Sequence, residues 1–196
     1  MTTATTPTRD DALKQQLSVV QEIAKLLDRP LDPPRTVQGI LRLLSQMLGL
    51  NCGRVLAPDA SGNVLEVKYS YGLTHARLAQ GAFSVGYHEG VSGFVMRTGT
   101  IGLVKDIDSE PLYLQRITER VPGSDGHIAF IAVPILESGT PIGVLSVQRE
   151  QLHHRAFDAD IATLRVAASA IGQVMRIRNF LQKETEHLML ENQSLK

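Results

Sequence analysis

The sequence predicts an α+β fold, a central antiparallel β-sheet flanked by helices, with long helices at the N- and C-terminal ends. The first observation is a β-hairpin, because two runs rich in Ile, Val and Leu, 128–136 and 142–148, flank a polar loop containing Gly139 and Pro141. The second is that both alternating sets of side chains in the first run are apolar, as in a strand covered on both faces. The third is the helical spacing of apolar residues near both termini.

The second strand of this hairpin has one mixed face. Gly143, Leu145 and Val147 form one alternating set, whereas the other set becomes polar toward Ser146 and Gln148. One face of the sheet is therefore expected to border a small cavity.

The composition indicates one globular domain and excludes several classes of protein. The 196 residues are 43% hydrophobic, enough for one core of roughly 150 residues with extensions. Twenty basic and twenty acidic residues give a formal net charge of zero, unlike the basic surface of a nucleic-acid-binding domain. No apolar run approaches the roughly 18–20 residues of a membrane span, and the N-terminus lacks signal-peptide features, so we expect a cytoplasmic protein without membrane contact. The single Cys52 is expected to be a buried structural thiol, and no metal site is expected.

Two helices are predicted in the first fifty residues. Residues 1–10 are Thr-rich and polar and are expected to form a disordered tail. An apolar seam then runs along one helix, which ends before Pro30 and suits a partner helix; the seam residues are Leu13, Leu17, Val20, Ala24 and Leu27. The second helix is expected to begin after Asp32 as N-cap, with Pro33 and Pro34 in its first turn, and to end at Gly49.

The middle of the chain alternates short strands with short helices. Residues 52–57 and 64–70 read as a second hairpin, and a short helix is predicted from Thr74 through Leu78. A brief strand around 83–85 leads to a glycine-bracketed helix over 90–99 and a strand over 101–104. Residues 108–127 contain two prolines and two glycines, so we expect a loop with one or two helical turns over the sheet.

The last predicted helix begins at Asp158 and continues beyond the globular domain. Val174, Leu181, Leu188 and Leu195 recur every seven residues, a coiled-coil spacing. The domain is therefore expected to cover 11–177, and 178–196 to form a coiled-coil signalling helix toward an output domain outside this sequence. The predicted interface of a homodimer combines the seams of the first and last helices: Leu13, Leu17, Val20, Leu27, Val174, Leu181 and Leu188.

Two segments resemble the GAF family of small-molecule sensor domains. The stretch from Glu89 to Ile107 is similar to the family's glycine-bracketed helix, strand and terminal aspartate, and 133–146 is similar to its central hairpin. The similarity covers about residues 17–177. It implies a GAF-like fold with a ligand pocket between the sheet and the segments 74–98 and 108–127.

Within this family, the chain most resembles the N-terminal sensor domains of nitrogen-fixation transcription activators, which act on sigma-54 RNA polymerase. The segments that carry this resemblance are 23–27, 41–45, 108–113, 127–135 and 190–195. The resemblance implies a downstream AAA+ ATPase, DNA-binding domains outside this sequence, and polymerase contact only through those domains. No Gly-x-x-x-x-Gly-Lys-[Ser/Thr] motif occurs, so this chain is not expected to be the motor. The GAF sensor of a histidine kinase or nucleotide cyclase is the alternative, because those domains also end in long helices.

Catalytic motifs are not evident, and we predict that the chain is not an enzyme. The run from Gly90 to Gly93 fails the nucleophile-elbow pattern Gly-x-Ser-x-Gly because Phe94 stands at the last position, so Ser92 is expected to cap the helix. GAF-like enzymes that reduce methionine sulfoxide use several cysteines, whereas this chain has one.

The predicted ligand-binding residues are Tyr87, Arg97, Tyr113 and His127, which the resemblance places in or near the family pocket. Together they are able to stack on a ligand, pair with a carboxylate and donate hydrogen bonds. No cofactor is expected, but 2-oxoglutarate is a possible effector by resemblance, with Arg97 as the partner of its carboxylate; a regulatory protein is the other possible effector. In the alternative hypothesis the domain is a ligand-free dimerisation and interaction module whose pocket is filled by Phe83, Tyr113 and Phe130.

Overall fold

A computed structural model describes residues 9–29, 32–72, 84–111, 113, 126–151 and 156–194. Four helices and six strands lie in these ranges. In chain order they are α1 (Arg9–Leu27), α2 (Pro33–Leu48), β1 (Asn51–Pro58), β2 (Val64–Tyr71), β3 (Ser84–Gly86), α3 (Gly90–Thr98), β4 (Gly102–Val104), β5 (Ile128–Glu137), β6 (Thr140–Glu150) and α4 (Asp158–Ser194). The predicted helix at Thr74–Leu78, the tail before residue 9, Leu195 and most of the loop 108–127 lie outside the described residues.

The strands form one antiparallel sheet in the order β3-β2-β1-β6-β5-β4. The predicted hairpin β5–β6 forms part of this sheet, and in it Ile131 lies opposite Val147 and Val133 opposite Leu145. Its turn reverses the chain at Ser138 and Gly139, which both have positive φ, 49° and 84°. The predicted α+β class and antiparallel sheet are therefore confirmed.

Helices cover both faces of the sheet, as the apolar pattern of β5 predicts. Packing of α1, α2 and α4 against one face encloses the larger core, in which Leu44, Val133 and Ile171 are fully buried. On the other face Val95 of α3 packs with Phe130 and Val144 of the sheet in a smaller core. In the described part of the chain no helix is both long and apolar enough to cross a lipid bilayer.

Helix ends follow the capping residues in the N-terminal half. The carboxylate of Asp32 accepts a hydrogen bond from the backbone N–H of Arg35 at 3.3 Å, and Gly49 ends α2 in the left-handed conformation with φ 66°. The expected capping role of Ser92 is wrong, because α3 begins at Gly90 with Glu89 as N-cap and Ser92 lies buried inside the helix.

The two terminal helices use their apolar faces differently from the predicted seams. In α1 the core-facing residues are Val19 and Ile23, at 0% and 2% exposure, whereas Leu13 and Leu17 are 64% and 58% exposed. In α4 Val174 is 1% exposed and packs inside its own core. Its assignment to a dimer interface is therefore corrected: the heptad position is used within the chain, because α4 still lies on the sheet at that turn.

The start of α3 approaches the preceding turn so closely that only glycine fits at residue 93. A Cβ atom at Gly93 would lie 2.9 Å from the carbonyl oxygen of Tyr87 and 3.2 Å from that of Gly86. We expect Gly93→Ala to lower the free energy of unfolding by about 1–3 kcal/mol, because a backbone contact has to move. Urea denaturation measures this loss. Phe94→Ala is the matched control, since Phe94 is 43% exposed and its truncation should cost clearly less; an equal loss would contradict the steric explanation.

Candidate functional site

A cluster of buried polar side chains lies on the sheet face that α3 covers. Arg54 on β1 lies opposite Ser146 on β6, and Gln148 follows two residues later on the same side of β6. Their exposures are 5%, 1% and 0%. Because alternate residues of a strand share a face, these side chains project on the same side as Phe130 and Val144.

Tyr113, from the segment after β4, closes over this cluster. The side-chain amide of Gln148 donates a hydrogen bond to the Tyr113 hydroxyl at 2.9 Å. The Tyr113 ring meets Phe130 edge to face, with centroids 5.1 Å apart. Burial raises the pKa of Tyr113 above its ordinary value of 10.0, although the nearby Arg54 cation opposes this effect. The hydroxyl therefore stays protonated at physiological pH and remains able to donate a hydrogen bond.

Hydrogen-bonding capacity remains in this cluster. Among the described residues, neither the hydroxyl oxygen of Ser146 nor the side-chain carbonyl oxygen of Gln148 has a hydrogen-bond partner. Leaving a buried polar group unsatisfied costs about 1–3 kcal/mol. Such groups beside a buried guanidinium are the features expected of a site that receives a polar, negatively charged molecule.

The structure brings only one of the four predicted ligand-binding residues into this cluster. Tyr113 lies in it, at 9% exposure. Arg97 is exposed on α3, and its Nη1 donates a 3.4 Å hydrogen bond to the carbonyl of half-buried Tyr87. His127 is 69% exposed at the start of β5 and contacts Asp106 through its Nδ1, 2.8 Å from Oδ2. Tyr87 and Arg97 thus pair with each other, and His127 belongs to a separate turn.

That turn is organised by Asp106. Its carboxylate accepts hydrogen bonds from the backbone N–H of Asp108 and the hydroxyl of Ser109. These two bonds, followed by the contact with His127, hold the pKa of Asp106 below its ordinary value of 3.8. The carboxylate is therefore ionised at neutral pH and fixes the beginning of the segment that carries Tyr113.

Sequence reasoning missed the sheet residues of the cluster. Two signals were available: Arg54 interrupts an apolar run in β1, and β6 becomes polar at Ser146 and Gln148. The second signal predicts a cavity beside Ser146 and Gln148, but a binding role for these two residues was not predicted. Cys52 is buried at 3% exposure, in agreement with the expected structural role.

The remaining predicted dimer-interface residues differ in how far they are exposed on the terminal helices. Leu181 and Leu188 are 53% and 54% exposed, and α1 packs beside α4. Val20 and Leu27 are partly buried, and Leu27 contacts the larger core. No cluster of three or more His, Cys, Asp or Glu side chains suited to a metal occurs among the described residues.

Comparison with known proteins gives a consistent relationship. The family model of the GAF domain matches residues 32–175. The chain is 30% identical over 185 residues to the Nif-specific regulatory protein of Azospirillum brasilense. The alignment covers 93% of this chain and 29% of that protein. It is 24% identical over 180 residues to the nitrogen fixation protein AnfA of Azotobacter vinelandii, 92% of this chain and 33% of that protein. The chain thus spans about a third of the length of these curated relatives.

Solved structures support the same fold. The GAF domain of A. aeolicus nlh2 in an inactive state has a TM-score of 0.72 at 20% identity, covering 85% of this chain and 99% of that one. Free methionine-R-sulfoxide reductase from Neisseria meningitidis has a TM-score of 0.67 at 19% identity, covering 90% of this chain and 96% of that one. From the match to the family model over most of its length, the chain belongs to the GAF domain family.

Proposed function

We propose that this chain is the regulatory sensor domain of a nitrogen-fixation-type, sigma-54-dependent transcription activator. The regulatory role that the names of the relatives state, together with similarity over 93% of this chain, supports a regulatory rather than a catalytic function. In this proposal the domain works as a homodimer in the cytoplasm, binds a small effector or a regulatory protein, and controls a downstream AAA+ ATPase through α4.

The observation that carries the effector proposal is the buried cluster of Arg54, Ser146, Gln148 and Tyr113. A guanidinium at 5% exposure pairs far more strongly with a carboxylate than an exposed one does, since water screens it less. Arg54 is therefore a better partner for the carboxylate of 2-oxoglutarate than Arg97. The Ser146 hydroxyl is able to donate a hydrogen bond to an oxygen atom of this ligand. The side-chain carbonyl oxygen of Gln148 only accepts hydrogen bonds, so it binds a bridging water molecule instead.

The strand β6 offers a direct route from this site to α4. Gln148 faces the cluster, whereas its neighbour Arg149 projects to the opposite face and forms an ion pair with Asp160 in the first turn of α4. A ligand that shifts Gln148 would therefore bias the position of Arg149 and the start of the output helix. The effect requires that the ligand bind two arrangements of β6 with different affinity.

Isothermal titration with 2-oxoglutarate tests the effector proposal. We expect measurable heat with the unchanged protein and at least about a tenfold loss of affinity in Arg54→Gln, since removing a buried partner of a charged ligand costs about 2–5 kcal/mol. Arg97→Gln is the matched control and should bind within about twofold of the unchanged protein. Circular dichroism verifies that both variants are folded.

The same titration separates two kinds of failure. Absence of heat with the unchanged protein would show that 2-oxoglutarate is not the effector. Loss of binding in Arg97→Gln alone would show that the ligand binds at α3 rather than at Arg54. Native mass spectrometry of protein purified from its own host then tests for any retained metabolite. A measured mass equal to that of the chain without a ligand would favour a ligand-free dimerisation and interaction module.

The second candidate function is a ligand-free dimerisation and interaction module. The edge-to-face contact of Tyr113 with Phe130 favours it, because these rings occupy space that a ligand would need. Under this hypothesis Tyr113→Ala only destabilises the domain. Under the sensor hypothesis the same change alters the affinity for the effector.

A further inference from the structure

A second concave surface lies where α4 leaves the sheet, away from the polar cluster. This exit groove has a volume of about 570 Å³. Its walls come from β1, β2, β5 and β6 and from residues 175–183 of α4. The residues that line it are Ala57, Pro58, Lys68, Tyr69, Glu137, Ile142, Met175, Arg176, Arg178, Asn179, Phe180, Gln182 and Lys183.

The exit groove concentrates positive charge in a chain whose formal net charge is zero. Four cationic side chains line it against the single carboxylate of Glu137. Lys68 is already paired with Glu66 at 2.7 Å, and Arg176 lies 3.6 Å from Glu137. The exposures of the latter pair, 56% and 41%, make it a weak surface contact.

Two of the cations in the groove, Arg178 and Lys183, form no ion pair with a described acidic side chain. Arg178 donates a 2.7 Å hydrogen bond to the neutral hydroxyl of Tyr69. Lys183 has no ion-pair partner among the residues that the structure describes. Among the described residues, the acidic side chains near the groove therefore pair with only two of its four cations, Lys68 and Arg176.

Apolar surface accompanies these charges. Ile142 and Met175 line the groove and pack against the larger core. Phe180 stands at the wall with 62% of its surface exposed. An exposed aromatic side chain beside cations is typical of a protein-binding surface. The aromatic ring packs against apolar side chains of the partner, and the surrounding cations favour a partner with acidic residues.

We propose that the exit groove docks an acidic amphipathic segment of a partner protein. The carboxylates of that segment meet Arg176, Arg178 and Lys183, and its apolar side chains pack on Phe180. Pairing of the groove with the same groove of a second copy is disfavoured, because it would bring identical cations together. The proposal does not depend on the polar cluster or on any effector bound there.

Fluorescence anisotropy with a designed probe tests this proposal. The probe is a labelled 16-residue amphipathic helix with glutamate on one face and leucine on the other, and the matched peptide carries lysine in place of each glutamate. We expect the glutamate peptide to bind the full 196-residue chain and the lysine peptide not to bind. Reversing two rim charges together, Arg176→Glu with Lys183→Glu, should weaken binding at least about tenfold.

A control with the same change of net charge distinguishes docking from general attraction. Lys105→Glu with Arg165→Glu also reverses two exposed cations, both outside the groove, and should keep affinity within about twofold. Phe180→Ser should weaken binding even at high salt, since its contact is apolar. Equal weakening by the two double variants, or no binding of the glutamate peptide, would overturn the proposal. So would sedimentation showing that the groove variants dissociate a dimer instead.

Discussion

Asp160→Ala should lower the free energy of unfolding by about 3–5 kcal/mol, the usual cost of leaving one member of a buried ion pair without its partner. Asp160 and Arg149 are each 1% exposed, and their Oδ2 and Nη1 atoms lie 2.9 Å apart. The guanidinium also lies 4.0 Å from the centre of the Phe157 ring. Without the carboxylate, this cation is confined between β6 and α4 where water cannot replace the lost interaction.

Urea denaturation with a common m-value measures this effect, and a surface pair on the same helix provides the control. Arg176→Ala removes a 3.6 Å contact between exposed residues and should cost less than about 1 kcal/mol. The double variant Arg149→Met with Asp160→Leu should recover most of the stability, because two apolar side chains of similar volume replace the pair. If Asp160→Ala lowers the free energy of unfolding by less than about 1 kcal/mol, the ion pair contributes no more to stability than an exposed one.

The fold was predictable from local patterns because its main elements are locally consistent. The hairpin β5–β6 has apolar residues in both alternating sets, and Asp32 with Gly49 marks both ends of α2. What the patterns could not show is which of two apolar stripes of a helix faces inward. In α1 Val19 and Ile23 face the core while Leu13 remains exposed. The position of α4 and the sheet determines which apolar stripe is buried, and the spacing of the apolar residues along α1 does not.

The candidate site was only partly predictable, for a related physical reason. Tyr113 was identified through the family resemblance, but Arg54 and Gln148 become a site only when β1 and β6 pair and place them on one face. Strand pairing joins residues about ninety positions apart in sequence, and no local pattern records which strands are neighbours. Arg97 belongs to α3, the helix that covers this face of the sheet. Its side chain nevertheless points to solvent, whereas Val95 and Met96 on the same helix are buried.

Leu181→Asp combined with Leu188→Asp should raise the dissociation constant of the proposed homodimer at least about a hundredfold, since each copy would lose two apolar contacts worth about 1.5–3 kcal/mol each. In the single chain these side chains are 53% and 54% exposed, so their apolar surface contacts no core. Every described side chain from Arg176 to Met189 is exposed, although α4 continues to Ser194. A helix of this length outside a globular core is stable only weakly by itself, and a second helix against its leucines would supply the missing burial.

Sedimentation equilibrium across a range of protein concentrations measures this dissociation. Gln173→Asp combined with Asn179→Asp is the control, because it introduces the same two negative charges at exposed α4 positions off the leucine seam. The control should remain dimeric, and the double variant should sediment as a folded monomer, because neither leucine contributes to the core of its own chain. Adding Leu17→Asp should have a further effect only if the exposed leucines of α1 and α4 form one continuous surface, as their neighbouring helices suggest. A monomeric unchanged protein, or a double variant that stays dimeric, would show that the exposed heptad leucines do not pair two copies.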